Sequence, residues 1–198
     1  MNEKPADARQ AVLQSAIAEF ARRGYAGTSV LNILEVTGLS KPTLYYHFKS
    51  KAGLFRAILD FAYDESFRLM QASVKGKTSC EQRLVEMASA FFDFAEQHQS
   101  LMRLVFATVF AAAEELPRKS INPAKRRRNF EFVLGLVRDG QKSGELDSRY
   151  DLQELTHGIF GALSHQTRTH LINPQGPLDR HRAERVVALF LDGARKRN

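Results

Sequence analysis

The segment of residues 28–51 constrains the fold of this chain more than any other feature, because it encodes two short helices joined by a tight turn. Apolar residues at helical spacing predict a first helix over about residues 29–36, with Thr28 as its N-cap. Gly38 ends that helix, since glycine readily takes the left-handed conformation that closes a helix, and Ser40 caps the second. The segment therefore predicts a helix-turn-helix.

The second helix of this segment has a buried face and an unusual outer face. Leu44 and Phe48 are four residues apart and so share one side. The other side offers hydrogen-bond donors, aromatic rings and no carboxylate, which suits phosphate oxygens and base edges in a major groove. Its members are Lys41, Pro42, Thr43, Tyr45, Tyr46 and His47. The alternative is a helical hairpin packed inside a globular protein, in which the tyrosines would be incidental.

These residues resemble the DNA-binding signature of the tetracycline-repressor (TetR) family. The resemblance covers about residues 11–59 and is strongest in the run from Thr43 to Phe48, while the rest of the chain is similar only in length, helical pattern and ending. Ala52 and Gly53 depart from the pattern, which commonly has an acidic residue there. The resemblance implies an all-α fold, with an N-terminal three-helix helix-turn-helix domain and a C-terminal helical bundle for ligand binding and dimerisation.

Residue roles follow from this resemblance combined with side-chain chemistry. Double-stranded DNA is the implied partner, and its base edges would be contacted by Lys41, Pro42 and Tyr46. Its phosphates would be contacted by Thr28, Thr43, Tyr45, His47 and Lys51. Lys51 also stands at the start of a long predicted helix, whose free N–H groups favour an anion.

Composition bounds the class of protein. The formal net charge is +7, but residues 1–51 contain only seven basic residues against four acidic ones, so charge supports DNA binding modestly. The single cysteine, Cys80, excludes an intrachain disulfide framework. No apolar run approaches the roughly 18 residues that span a bilayer. We therefore expect a cytoplasmic protein without membrane contact.

Beyond residue 51 the sequence predicts helices and no strand. A long helix over about residues 51–74 links a DNA-binding domain, residues 1–51, to an effector-binding and dimerisation domain, residues 52–198. Prolines, glycines and capping residues mark further helices over about residues 80–97, 101–115, 123–142, 152–171 and 180–196. Small and apolar residues on the last two helices fit a homodimer, which the resemblance also implies; burial within one chain is the alternative.

Aromatic residues and methionines are concentrated in these later helices. At helical spacing they form either a packed core or an apolar pocket between helices. The resemblance favours a pocket for a small apolar or aromatic effector. Its predicted lining consists of Phe91, Phe94, Met102, Phe106, Phe110, Phe132, His157 and Phe160.

The sequence thus predicts a ligand-responsive repressor that binds a pseudo-palindromic operator as a dimer and is released by its effector. A constitutive DNA-binding regulator or activator without an effector is the alternative. Catalytic motifs are absent, so we expect no enzyme, no catalytic residue, no metal site and no cofactor. Two features stay without a role: Cys80, and the basic run of residues 125–128, which is either a solvated helix face or a second nucleic-acid patch.

Overall fold

Helices form the architecture of the chain. A computed structural model describes residues 5–111, 115–117 and 120–194, and within these ranges it contains no strand, which confirms the all-α class. Its helices are α1 (Pro5–Gly27), α2 (Val30–Thr37), α3 (Lys41–Phe48), α4 (Lys51–Ser73), α5 (Cys80–Gln97), α6 (Gln99–Phe110), α7 (Pro123–Lys142), α8 (Leu152–Ile172) and α9 (Arg180–Ala194).

The described residues group into two compact units, and the chain passes between them three times. The first unit takes its residues from 1–62 and 99–122, and the second from 63–98 and 123–198. The first boundary between the units, between residues 62 and 63, falls within α4. The predicted division at residue 51 concerns function, and it stays a prediction.

The first unit is built around α1, which packs against α2, α3 and α6. Val12, Ala16 and Phe20 recur at four-residue intervals on α1, and each is at most 1% exposed. This spacing places them on one face of the helix. Gly24 interrupts α1 with a φ of 71°, a left-handed conformation that glycine adopts without steric cost.

The start of α2 corrects the predicted cap. Ser29 is the N-cap: its Oγ accepts from the N–H of Asn32 (3.1 Å), and the Asn32 side chain accepts from the N–H of Ser29 (3.0 Å). Thr28 was wrong as the cap because its hydroxyl points the other way. It donates to the carbonyl oxygens of Glu19 (3.2 Å) and Gly24 (2.8 Å).

The turn between α2 and α3 has the predicted chemistry. Gly38 takes a φ of 67° and its N–H donates to the carbonyl of Leu34 at 2.8 Å, which closes α2. Ser40 caps α3 by accepting from the N–H of Thr43 at 3.3 Å. These local contacts fix the direction in which α3 leaves the turn.

The second unit is a helical bundle in which α5 packs against α7, α8 and α9. The observed bounds of α5 and α7 are the predicted ones. The predicted helix of residues 101–115 was wrong at both ends, because α6 begins at Gln99 and ends at Phe110. The last predicted helix, of residues 180–196, extends beyond the described residues.

Two close contacts hold the start of α5 in the second unit. The carboxylate of Glu145 accepts from the N–H of Cys80, at 3.0 and 2.8 Å from its two oxygens. This satisfies an N–H that the helix itself leaves unpaired. Gly140 of α7 lies against the Cys80 side chain so closely that a Cβ at this position would overlap Sγ and stand 3.1 Å from the Cys80 Cβ.

We expect Gly140→Ala to lower the free energy of unfolding by about 1–3 kcal/mol, because the added methyl group overpacks this contact. Gly135→Ala is the matched control: it lies on the same helix, and a Cβ there meets nothing within 4 Å. The control should raise stability by about 0.5–1 kcal/mol. Urea unfolding followed by circular dichroism measures both. Equal effects of the two substitutions would contradict this packing.

Candidate nucleic-acid interface

The exposed face of α3 is formed mainly by tyrosines and lysines. Leu44 and Phe48 turn inward and are 0% and 5% exposed, whereas Tyr46 is 72% exposed and Tyr45 is 36% exposed. Lys41 and Pro42, at the start of the helix, are exposed as well. The first turns of α3 therefore present donors and rings on the side away from the core.

Lysines flank both tyrosines. The Nζ atom of Lys41 lies 5.9 Å from the centre of the Tyr45 ring, and that of Lys49 lies 5.8 Å from the centre of the Tyr46 ring. Lys49 also donates to the carbonyl of Tyr46 at 3.2 Å. Residues 36–59 contain no acidic side chain. This arrangement attracts an anion and offers ring edges and hydroxyl groups beside it.

Two further predicted contacts lie at the edge of this face. Thr43 is half-buried, and its hydroxyl is 2.8 Å from that of Ser40. His47 is also half-buried, between the rings of Tyr46 (5.0 Å) and Phe48 (6.1 Å). Both side chains are thus oriented by neighbours on α3 or at its cap, which limits their freedom before any ligand binds.

Thr28 is the exception among the predicted contacts. Its side chain is 1% exposed, and its hydroxyl donates to two carbonyl oxygens inside the first unit. A phosphate contact would require this hydroxyl to leave both partners. We therefore assign Thr28 the structural role of joining the end of α1 to the start of α2.

Lys51 is oriented toward the same junction. Its Nζ atom donates to the carbonyl oxygens of Tyr25 and Thr28, both at 2.9 Å, and lies 4.2 Å from the centre of the Tyr25 ring. Burial lowers the pKa of Lys51. An ammonium group has three N–H donors, so one remains after these two bonds. The geometry leaves the predicted phosphate contact available while it ties α4 to the end of α1.

Sequence reasoning missed two basic residues near α3. Arg9, on α1, is exposed, and its guanidinium lies 5.4 Å from the centre of the Phe48 ring. Lys49 follows α3 with a φ of 66°, a conformation that is uncommon for a residue with a side chain. Lys49 could have been found from its adjacency to the aromatic run. Arg9 could not, because only the folded first unit brings it to α3.

We expect Lys51→Met to lower the free energy of unfolding by about 1–2 kcal/mol, since two carbonyl oxygens lose a charged donor. Lys41→Met is the matched control: it removes the same charge from an exposed site where the structure records a ring contact and no hydrogen bond. Its effect on stability should stay within about 0.5 kcal/mol. Thermal unfolding monitored by circular dichroism measures the difference, and equal losses would contradict the role of Lys51.

The predicted effector-lining residues are divided between the two units. Met102 and Phe106 belong to α6 of the first unit, and the side chain of Phe110 lies outside the described residues. The others belong to the second unit: Phe91, Phe94, Phe132, His157 and Phe160. Their assignment to one pocket stays a prediction.

Within the second unit these aromatic residues form separate contacts. Phe94 is 1% exposed and packs against the ring of His98 at 4.7 Å, while Phe91 is half-buried. His157 and Phe160 both approach Phe130, at 4.9 and 6.3 Å between ring centres. Phe132 meets Phe67 edge to face at 5.8 Å. Phe94 is therefore part of the packed core.

The structure also explains the two features left without a role. Burial, reinforced by the carboxylate of Glu145, raises the pKa of Cys80 to about 11, which keeps the thiol protonated and weakly reactive at neutral pH. The basic run of residues 125–128 is largely paired within the second unit. Asp64 binds Lys125 (2.6 Å) and Arg128 (3.0 Å).

Burial of Asp64 acts to raise its pKa, but hydrogen bonds from Lys125 and Arg128 outweigh it, and the pKa is lowered. Arg127 pairs with Glu131 at 2.7 Å. Three of the four basic residues in the run are therefore paired with carboxylates. A second nucleic-acid patch is not favoured.

The described ranges lack two further kinds of structure. No helix there is long and apolar enough to cross a membrane. Those residues also contain no group of three histidine, cysteine or acidic side chains placed to hold a metal ion.

Comparison with known proteins gives a specific match for the helix-turn-helix. Residues 12–58 match the sequence profile described as "Bacterial regulatory proteins, tetR family". This range contains α2, α3 and the first turns of α4. It includes every predicted DNA contact.

Relatives and solved structures extend the match. The transcriptional activator FasR of Mycolicibacterium smegmatis is 37% identical over 53% of this chain, but the matched part is only 48% of that activator's length. The transcriptional repressor KstR2 of the same species is 24% identical over 96% of this chain and 92% of its own length. The regulator FadR of Bacillus subtilis, solved in complex with stearoyl-CoA, is 20% identical and superposes with a TM-score of 0.82 over 93% of this chain and 98% of its own.

Proposed function

We propose that this chain, which belongs to the TetR family of bacterial transcription regulators, acts in the cytoplasm as a repressor that leaves its operator when a small apolar or aromatic effector binds. The family makes it a DNA-binding regulator; repression, dimeric operator binding and release by an effector are the proposal. The observation that carries it is the outer face of α3, where tyrosines 36% and 72% exposed stand beside lysines and no carboxylate.

On this proposal α3 enters the major groove. Lys41, Pro42 and Tyr46 contact base edges, because they lie on the most exposed part of the helix. The phosphates are contacted by Thr43, Tyr45, His47 and Lys51, joined by Arg9 and Lys49. The phosphate contacts fix the position of the helix, and the base contacts supply sequence preference.

A matched pair of substitutions separates these roles. Tyr46→Phe and Tyr45→Phe each remove a single hydroxyl group from α3. We expect Tyr46→Phe to reduce the ratio of operator to random-DNA affinity by roughly tenfold, the loss of one base contact. Tyr45→Phe should weaken both duplexes by the same factor. Fluorescence anisotropy at fixed salt measures both ratios. Unchanged ratios for both variants would contradict the division.

Dimerisation is proposed through α8 and α9. Ile172, at the end of α8, is 76% exposed and Leu189, on α9, is 77% exposed, which is unusual for large apolar side chains in a single folded chain. A two-fold dimer would present two copies of α3 to half-sites about 34 Å apart, or a multiple of that distance. This is why the operator is proposed to be pseudo-palindromic.

We expect Leu189→Glu to convert the dimer into monomers and to lower operator affinity at least tenfold, because a charge would be buried in the interface. Tyr150→Glu is the control: Tyr150 is a 45% exposed aromatic residue of the same unit that lies outside α8 and α9. It should remain dimeric. Analytical ultracentrifugation measures the oligomeric state of both variants. A Leu189→Glu variant that remains dimeric would refute the proposed interface.

The effector proposal is supported by the aromatic side chains of the later helices and by the stearoyl-CoA bound to the related regulator of Bacillus subtilis. An apolar acyl chain suits the predicted lining, namely Phe91, Phe94, Met102, Phe106, Phe110, Phe132, His157 and Phe160. Stearoyl-CoA is accordingly the first compound to try. Binding would lower DNA affinity by a coupling of about 5–150-fold.

The test begins with selection from random duplexes at near-physiological salt, which we expect to enrich a palindrome. Operator affinity is then measured with and without stearoyl-CoA, and stearoyl-CoA affinity with and without operator. A repressor of the proposed kind shows equal and reciprocal losses, since coupling is symmetric. Operator binding that no acyl or aromatic compound changes would favour a constitutive regulator. Absence of any enriched sequence would contradict sequence-specific binding itself.

A further inference from the structure

A cavity of about 370 Å³ lies within the first unit, between α1 and α6. Its inner wall is aromatic. The rings of Phe20, Tyr25 and Phe55 lie 5.0–5.9 Å apart, with Phe55 edge-on to the other two. Phe20 and Phe55 are 1% and 0% exposed and hold the ring of Tyr25, which is half-buried and offers its apolar surface to a ligand.

The opposite wall comes from α6 and is also mainly apolar. It includes Leu104, Ala107 and Thr108. The hydroxyl of Thr108 donates to the carbonyl of Val105 at 2.7 Å, so its donor is already used. A purely polar ligand would gain little from these surfaces, whereas an apolar body would lose contact with water on both sides.

Charge is concentrated in a few of the lining residues. Arg23 lines the cavity and pairs with Glu19 at 3.0 Å. Arg103 also lines it, is exposed, and makes no ion pair or hydrogen bond with any residue that the structure describes. Among the described lining residues, Glu115 is the one acidic side chain. The N–H donors of the Arg103 guanidinium are thus available to bind a carboxylate.

We propose that this cavity binds a small amphipathic carboxylate, whose apolar body packs on Tyr25 and Ala107 while its carboxylate binds Arg103. The volume is at the lower end of the roughly 300–1,000 Å³ range of ligand pockets, which limits the ligand to a short acyl chain or a small aromatic acid. Met102 and Phe106, the predicted effector-lining residues of α6, do not line this cavity. The site is therefore separate from the proposed effector pocket.

The location gives the site a connection to DNA binding. The ligand would pack on the ring of Tyr25, whose carbonyl oxygen accepts from Lys51 at 2.9 Å. That bond joins α4 to the end of α1, next to the start of the helix-turn-helix. The proposal concerns binding only, and it holds or fails independently of effector-driven release from an operator.

The experiment uses two fluorescent probes on the full-length protein. One is 8-anilinonaphthalene-1-sulfonate, an aromatic anion; the other is N-phenyl-1-naphthylamine, its uncharged counterpart. Arg103→Gln removes the charge, and Ala107→Phe fills the cavity from an exposed position on α6. Arg56→Gln is the matched control, because Arg56 is an exposed arginine of the same unit that does not line the cavity.

We expect Arg103→Gln to weaken the anionic probe about five- to tenfold and to leave the uncharged probe within twofold. Ala107→Phe should weaken both probes at least tenfold, while Arg56→Gln changes neither. Octanoate should displace the anionic probe at a concentration about five- to tenfold lower than octanol requires. Circular dichroism confirms that each variant is folded.

Anionic-probe affinity that is the same in the wild type, Arg103→Gln and Ala107→Phe would overturn the proposal, as would equal losses in Arg103→Gln and Arg56→Gln. Displacement by octanol as effective as by octanoate would overturn the carboxylate assignment. Operator binding in the absence of any ligand is measured on the same preparations. It reports on the proposed function, so failure of one is distinguishable from failure of the other.

Discussion

The position of α3 depends on how the end of α1 is tied to the helices that follow it. The last carbonyl groups of a helix have no partner within the helix. Here the ammonium of Lys51 binds the carbonyl of Tyr25, in the last turn of α1, and that of Thr28, which follows the helix. The hydroxyl of Thr28 donates to the carbonyls of Gly24 and Glu19. Gly53 completes the arrangement, since any side chain there would overlap the carbonyl oxygen of Phe48. Glycine at position 53 is therefore a packing requirement.

The fold also decides which basic residues are available to a polyanion. Residues 125–128 form the densest basic run in the sequence, yet Asp64 and Glu131 pair with three of its four cations within the second unit. Around α3 the cations face aromatic rings and backbone carbonyls instead. Charge density along a sequence is thus a poor guide to a nucleic-acid surface, whereas the absence of nearby carboxylates is a better one.

Local signals in the sequence were sufficient for much of the fold. Proline at 123 and the glycine at 38 predicted helix ends correctly, because caps act over a few residues. The outward direction of Tyr46 followed from the four-residue spacing of its buried neighbours Leu44 and Phe48. The inward turn of Thr28, the approach of Arg9 to α3 and the Glu145 cap on α5 could not be predicted. The last two join residues that are distant in sequence, and the first depends on the break in α1 at Gly24; periodicity carries no information about either.

The discontinuity of the first unit has a consequence for the order of synthesis. Because α6 packs on α1, the first unit cannot complete its packing until residues 99–110 have left the ribosome. The face of α1 that contacts α6 stays uncovered while the rest of α4 and α5 are synthesised. The DNA-binding helices therefore complete their packing only after a helix encoded far downstream has been synthesised. A truncated chain that ends before α6 would expose that face and be prone to aggregation.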